Sequence, residues 1–193
     1  METRNSNGLD QFCASLDERP GLSILDLSGA NQSTISFITG HGHRLYSDDF
    51  LLQLDTCFGD GDPYESQTNP VKVQEFLGSA LDFGGDMFDG ALVWDVLEHL
   101  TPPLLNTVVN RLRNLLRPGA SLLAVFHAEE RKDLVPSYSY RIQDHRTIAM
   151  APRGRRRLAQ YFNNRSLEKL FQDFHSVKFF LTRDALREVI VKR

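Results

Sequence analysis

Carboxylates stand at the ends of three apolar stretches of this chain, where they could bind the polar groups of a ligand. Asp26 ends the first stretch, the pair Asp48 and Asp49 ends the second, and Asp95 follows the third directly after Trp94. A carboxylate accepts hydrogen bonds from ammonium and hydroxyl groups, and it can also take a proton from a reacting group. These positions therefore indicate ligand binding, acid–base chemistry, or both.

His99 is a second candidate base, because histidine changes charge near neutral pH. A structural role stays open for both candidates: Asp95 could cap the turn Val96–Leu100, and His99 could act only as a hydrogen-bonding partner. The six histidines are scattered without the spacing of metal ligands, so no metal site is predicted.

The stretch around Asp26 predicts a buried strand, a tight turn and the start of a helix. Ser28, Gly29 and Ala30 are small, and Asn31 can cap the helix that follows. Such a turn points free backbone N–H groups into one crevice, and small residues let a ligand approach the backbone. In an open α/β sheet, ligands bind in this crevice at the carboxyl ends of the strands.

Strand and helix patterns alternate along the chain, which predicts a parallel sheet with helices on both faces. Residues 55–70 are rich in Asp, Gly, Pro, Ser and Asn and predict a loop. The last two strands, around Thr182–Ala185, predict an antiparallel hairpin. The predicted helices are Leu9–Leu16, Ser33–Thr39, Val71–Leu77, Pro102–Leu116 and one capped by Asn164; the further strands are Arg44–Ser47, Ala80–Phe83, Phe88–Trp94, Leu122–Phe126, Tyr138–Ile142, Val177–Leu181 and Leu186–Val191.

Length and composition suit one globular domain, since 41% of the 193 residues are hydrophobic. Residues 1–110 carry 4 Lys and Arg against 17 Asp and Glu, whereas residues 111–193 carry 18 against 8. The two halves either attract ions of opposite sign or neutralise each other's charge across the fold.

The compartment is predicted from three features of the sequence. The chain has two cysteines, lacks a leader-like apolar start and contains no long apolar run. These features predict a reduced, cytoplasmic chain without a membrane partner. The oligomeric state is left open.

Four stretches resemble the class I S-adenosylmethionine (SAM)-dependent methyltransferase superfamily. They are Leu25–Ala30 at its glycine motif, Asp48 or Asp49 at the end of strand two, Phe88–Leu100 at its strand-four motif, and Leu115–Ala120 at the turn before strand five. Residues 94–95 and 179–189 are more narrowly similar to a bacterial group of methyltransferase-like proteins. The resemblance covers about residues 8–128.

The resemblance implies a Rossmann-like methyltransferase fold. This is an α/β fold with a doubly wound, mostly parallel seven-stranded sheet, helices on both faces and a C-terminal antiparallel hairpin. One methyltransferase-like domain would span residues 1–193. Residues 8–128 would form the cofactor-binding core, residues 129–160 an acceptor-side insertion, and residues 161–193 the terminal helix and hairpin.

The resemblance also implies SAM as the cofactor. Asp26 would bind the methionine ammonium group, the Ser28 and Gly29 backbone would face the amino-acid moiety, and Asp48 or Asp49 would bind the ribose hydroxyls. At the end of strand four, Trp94 would stack on the adenine or face the sulfonium. Asp95 would orient or deprotonate the acceptor, with His99 as a possible base; Trp94 could alternatively be a core aromatic residue.

The glycine motif is degenerate. Its three glycine positions hold Ser28, Ala30 and Gln32, while Gly29 lies out of phase. Gln32 is the largest of these side chains and is expected to narrow the cofactor's space most. In the family, an acidic residue recognises the amine of the adenine. The corresponding position in this chain lies near Leu77, and no such acidic residue stands there.

The basic run Arg153–Arg157 could dock an anionic acceptor such as a phosphate, a carboxylate or RNA. Its alternative role is a solvated face or pairing with the acidic half of the chain. No RNA-binding module is recognised, so nucleic acid is not predicted as a partner.

Three functions follow. The first is a SAM-dependent methyltransferase acting on a small-molecule or anionic acceptor. The second is a catalytically silent methyltransferase-like protein that serves as a binding or interaction module, suggested by the replaced glycines. The third, a nicotinamide-binding protein, is disfavoured by the terminal hairpin and by the lack of a Gly-x-Gly-x-x-Gly signature.

Overall fold

The core of the protein is a mixed six-stranded sheet. It is seen in a computed structural model that describes residues 2–17, 19–128, 134–182 and 185–193. The strand order is β3-β2-β4-β5-β9-β8; β3, β2, β4 and β5 run parallel, and β9 runs antiparallel to both neighbours. The strands are β2 (Ser23–Asp26), β3 (Arg44–Ser47), β4 (Phe88–Trp94), β5 (Leu116–His127), β8 (Ser176–Leu181) and β9 (Leu186–Lys192).

Helices pack on both faces of this sheet and bury two apolar clusters. The strongest amphipathic pattern belongs to α6, whose buried leucines and valines recur at helical spacing after the Pro102–Pro103 start. The helices are α1 (Asn7–Ala14), α2 (Gln32–Gly40), α3 (Phe50–Phe58), α4 (Pro63–Ser66), α5 (Pro70–Ser79), α6 (Pro102–Leu115) and α7 (Asn164–Leu170), with a 3₁₀ turn at Leu97–His99. Within the described ranges, no helix is both long and apolar enough to cross a membrane.

A second, three-stranded sheet lies over the carboxyl ends of the central strands, and we call it the covering sheet. It consists of β1 (Glu2–Asn5), β6 (Leu134–Ile142) and β7 (Thr147–Arg157), all antiparallel, in the order β1-β7-β6. A buried ion pair joins it to the central sheet, since Arg4 Nη2 lies 2.5 Å from Glu188 Oε1 on β9. The sequence predicted only the β6 part of this sheet, as Tyr138–Ile142.

The predicted seven-stranded sheet is wrong by one strand among the described residues. The expected strand Ala80–Phe83 is instead the end of α5 and a turn. Leu81 has a φ of 56°, a left-handed conformation outside the extended region of regular strands. The chain therefore leaves α5 without adding an edge strand beside β3.

The predicted loop 55–70 is also wrong in part. Asp49 caps α3, which buries Phe50, Leu51, Leu54 and Phe58, and Asp62 caps the short α4. The helix predicted to be capped by Asn164 is capped by Asn163. Two predicted features extend outside the described residues: the turn Thr182–Ala185 includes 183 and 184, and the insertion 129–160 begins with 129–133. The division of the chain into these parts stays a prediction.

Candidate functional site

The crevice formed by the carboxyl ends of β2, β3 and β4 is the candidate site, and Asp26 lies at its floor. Its carboxyl group is fully buried. Asp26 Oδ1 accepts hydrogen bonds from the Ser28 backbone N–H (3.1 Å) and the Ser28 hydroxyl (3.0 Å). Burial raises the pKa of Asp26 to about 6, against the lowering effect of hydrogen bonds from Trp94 and Ser28. Asp26 Oδ2 has no hydrogen-bond partner in the described part of the chain.

Trp94 fills the space above Asp26. Its indole N–H donates to Asp26 Oδ1 at 2.7 Å, and its ring stacks on Tyr140 of β6 with centroids 4.7 Å apart and planes 4° apart. Both side chains are buried. Trp94 has a φ of 58°, at the point where the pairing of β4 with β5 shifts register. A non-glycine residue keeps such a conformation only where its surroundings enforce it, so the Trp94 position is a specific feature of the fold.

The β6 backbone closes the crevice from above. Its carbonyl and N–H groups bond to side chains in the turn after β2 and in the first turn of α2, which is where the sequence predicted a ligand to approach. Four hydrogen bonds make this contact: the Ser28 hydroxyl and the Asn31 amide donate to Tyr140 O (3.3 Å each), the Ser33 hydroxyl donates to Ile142 O (2.5 Å), and Ile142 N–H donates to Thr34 Oγ1 (3.0 Å).

The two aspartates after β3 are also engaged by the chain. Gly29 N–H donates to Asp48 O at 3.1 Å, and Ser28 forms an antiparallel bridge with Asp49. Gly29 has a φ of 83°, and a Cβ there would lie 3.1 Å from Asp49 Oδ2. The close approach of the Gly29 backbone to Asp49 therefore requires glycine. Asp48 Oδ1 accepts from the Gln53 amide at 2.7 Å. Burial raises the pKa of Asp48 above its usual value.

Asp95 belongs to a buried polar cluster beside the crevice. Glu98 accepts from His127 N–H at 2.9 Å and pairs with His127 Nδ1. The Tyr140 hydroxyl faces the Asp95 carboxyl group, although no hydrogen bond of standard geometry joins these oxygens to a described residue. Burial, followed by the charge of Glu98, raises the pKa of Asp95 to about 7. Asp95 makes no capping bond to the following turn.

His99 faces the basic run. Its Nδ1 is 3.3 Å from the carbonyl oxygen of Arg157, and burial lowers the pKa of the imidazole. The basic run itself pairs with the acidic half of the chain, one of the two roles open from the sequence. The pairs are Arg153 with Asp49 (2.8 Å), Arg157 with Asp62 (2.9 Å) and Arg156 with Asp55.

The replaced glycines do not close the crevice in the expected way. Gln32 is exposed and donates to Ser36 Oγ along α2 at 3.0 Å, so the expectation that it narrows the space most is wrong. Ala30 is exposed as well. A side chain at the first helical residue of α2 points along the helix surface, away from the crevice; Trp94 and Tyr140 occupy the crevice instead.

Comparison with solved structures identifies the fold. The chain matches the 1,6-didemethyltoxoflavin-N1-methyltransferase of Burkholderia thailandensis, solved with S-adenosylhomocysteine, with a TM-score of 0.55, 18% identity and coverage of 96% of this chain and 76% of that one. It matches a protein of Pyrococcus horikoshii OT3 with a TM-score of 0.56, 16% identity and coverage of 96% and 87%. The chain has a fold similar to that of SAM-dependent methyltransferases.

A third match is phosphoethanolamine N-methyltransferase 2 of Haemonchus contortus in complex with SAM, with a TM-score of 0.52, 10% identity and coverage of 95% of this chain and 52% of that one. No protein-family model matches the chain, and no curated protein sequence matches it. The identities are low, so the likeness concerns the fold.

The residues at the crevice do not fit SAM in the arrangement that they adopt. Asp26 Oδ1 already accepts three hydrogen bonds, and the stacked Trp94 and Tyr140 rings lie against it. The turn after β2 and the two aspartates after β3 are bonded to each other. The crevice lies at the carboxyl ends of the parallel strands, where open α/β sheets bind ligands, but it is filled by this chain's own groups.

Tyr140 is the site residue that sequence reasoning missed. The Tyr138–Ile142 pattern predicts a strand, but alternation alone does not tell which tyrosine faces the crevice or that β6 reaches it. Glu98 and His127 were missed for a similar reason. Their contact joins the turn after β4 to the end of β5, and no spacing along the chain signals it.

Proposed function

We propose that this chain is a catalytically silent methyltransferase-like protein that acts as a binding module. The observation that carries this proposal is the hydrogen bond from Trp94 to Asp26 beneath the stacked Tyr140 ring. These groups take the place that a SAM molecule would need. The departures of the glycine motif at Ser28, Ala30 and Gln32 support the same function.

The energetics of opening support the proposal. SAM could reach Asp26 only after the four hydrogen bonds between β6 and the α2 region, and the aromatic stack, had been broken. At about 1 kcal/mol for each of these contacts, opening costs about 5 kcal/mol. An opening of this cost weakens the apparent affinity for a ligand by roughly 10³- to 10⁴-fold.

Calorimetric titration with S-adenosylhomocysteine and with SAM tests the proposal. We expect no saturable heat up to about 1 mM ligand, which corresponds to a binding free energy of about −4 kcal/mol. The matched control is Tyr140→Ala, which removes the ring that covers Trp94. A dissociation constant below about 100 μM for the unmodified chain would contradict the proposal.

A second candidate is the SAM-dependent methyltransferase predicted from the sequence. The observation that favours it is the presence of buried carboxylate oxygens, Asp26 Oδ2 and both oxygens of Asp95, without a hydrogen-bond partner among the described residues. Such oxygens can receive an ammonium group or a proton. If the titration detects binding, Asp48→Ala or Asp49→Ala should weaken it by about 1–3 kcal/mol. Unchanged affinity in both variants would remove the ribose assignment.

In either case we propose a cytoplasmic protein. The basis is the pair of free cysteines, Cys13 and Cys57, which suits a reducing compartment.

A further inference from the structure

A cavity of about 370 Å³ opens beside the second half of β7, and we call it the arginine cavity. Its walls are the second half of β7, the helices α3 and α4, and His99. Four arginine side chains line it: Arg153, Arg155, Arg156 and Arg157. Its volume is within the range of small-molecule sites.

After three of them pair with nearby aspartates, the four arginines still have unused N–H donors and an excess of positive charge. Asp49, Asp55 and Asp62 neutralise three of them. Arg155 instead donates to the Leu134 carbonyl oxygen at 3.0 Å, and no carboxylate in the described part of the chain pairs with it. A guanidinium has five N–H donors, and the fork on Asp49 uses two of the donors of Arg153. An anion entering the cavity therefore finds both a positive charge and available donors.

His99 supplies a different group to the same cavity. The residue is 4% exposed, and its Nε2 has no hydrogen-bond partner among the described residues. Its Nδ1 faces the Arg157 carbonyl oxygen, which can only accept, so Nδ1 carries the proton. In the neutral ring Nε2 is then a bare acceptor. Gln67 fixes this segment, because its amide donates to His99 O at 3.0 Å and accepts from Thr101 N–H at 2.8 Å.

We propose that the arginine cavity binds a small phosphomonoester that carries a hydroxyl group next to the phosphate. Guanidinium forks match the geometry of phosphate oxygens, and the hydroxyl would donate to His99 Nε2. Leu54 and Phe58 line the same cavity and provide an apolar surface for a short carbon skeleton. This inference deepens the proposed function, and rests on it, by naming the ligand class of the binding module.

A matched pair of probes tests both halves of the site. Glycerol 2-phosphate and isopropyl phosphate share a skeleton and a phosphate, but only the first has hydroxyl groups. In calorimetric or ³¹P NMR titrations we expect glycerol 2-phosphate to bind about five-fold more tightly, the effect of one hydrogen bond. Equal affinity for the two probes, or no saturable binding of either, would overturn the inference.

A matched pair of variants locates the site. Arg155→Ala should weaken the binding of both probes about ten-fold, as expected for a lost charge-assisted contact. Arg165→Ala, which removes an exposed arginine on α7, should leave it unchanged. Equal losses in the two variants would indicate diffuse charge attraction and would contradict a defined cavity site. The titration with S-adenosylhomocysteine is independent, so a failed phosphate site and a failed proposed function give different results.

Discussion

The Trp94 indole N–H donates to Asp26 Oδ1 over 2.7 Å and thereby joins the ends of two neighbouring parallel strands, β4 and β2. In this position the indole N–H bonds to one oxygen of a fully buried carboxylate. The indole also stacks on Tyr140, so one side chain holds the central sheet to the covering sheet. The crevice is thus part of the protein's buried core.

Removal of the indole donor should destabilise the protein. Trp94→Phe keeps an aromatic ring but loses the hydrogen bond to Asp26, so we expect a loss of about 2–4 kcal/mol in the free energy of unfolding, measured by urea denaturation. The control is Tyr140→Phe, which keeps the stacked ring and removes only the hydroxyl, with a change below about 1 kcal/mol. Equal effects of the two variants would contradict a specific role for the indole N–H.

The stability of the protein should depend on the protonation of Asp95. Burial raises the pKa of this carboxyl group to about 7 from an ordinary value of 3.8. The native state therefore binds more protons than the unfolded state between these values. The contribution of Asp95 to stability is present below pH 3.8 and is lost as the pH rises through about 7.

Asp95→Asn removes this ionisation. Relative to the unmodified chain, the variant should gain stability progressively from pH 4 to pH 8, by up to about 4 kcal/mol. Urea midpoints at several pH values measure the difference. Asp60→Asn, at an exposed position, should show no such trend. A pH-independent difference for Asp95→Asn would contradict the assignment.

The ion pairs between β7 and the acidic helices should help to hold the covering sheet in place. Arg153 and Asp49 form a two-bond pair with side chains 27% and 29% exposed. We expect a coupling energy of about 0.5–1 kcal/mol in a double-mutant cycle of Arg153→Ala and Asp49→Ser, falling in 1 M NaCl as screening increases. Serine keeps a capping oxygen for α3, so the cycle reports the pair. Coupling that is insensitive to salt would contradict an electrostatic origin.

Gly90 should be sensitive to the smallest added side chain. A Cβ at this position of β4 would lie 2.9 Å from Phe12 Cζ, and we expect Gly90→Ala to cost about 1–3 kcal/mol through overpacking. The matched control is Gly78→Ala on the exposed face of α5, where no atom lies within 4 Å. That variant should gain about 0.5–1 kcal/mol from helix propensity. Thermal or urea unfolding measures the stability of both variants. A Gly90→Ala variant more stable than Gly78→Ala would contradict the packing argument.

Local pattern predicted the elements whose signal is concentrated in a single stretch. The apolar stripe of α6, the continuous apolar run of β4 and the Asn31 cap of α2 are all present. The failures came where composition was ambiguous. The polar stretch 55–70 predicts a loop and conceals the end of α3 and all of α4. The short apolar stretch Ala80–Phe83 predicts a strand, but Leu81 turns the chain there. Strands β1 and β7 were missed because their pairing joins residues far apart in the chain.

The sequence by itself determined that Asp26, Asp48, Asp49, Trp94 and Asp95 stand at the carboxyl ends of neighbouring strands, because strand direction and turn chemistry are encoded locally. Only the tertiary structure decided what those side chains bind. Tyr140 reaches Trp94 from about 46 residues away, through a sheet whose register depends on long-range hydrogen bonds and not on local propensity. The same contact determines whether the crevice holds a ligand or the protein's own rings, since two aromatic side chains and a ligand cannot share one closely packed volume.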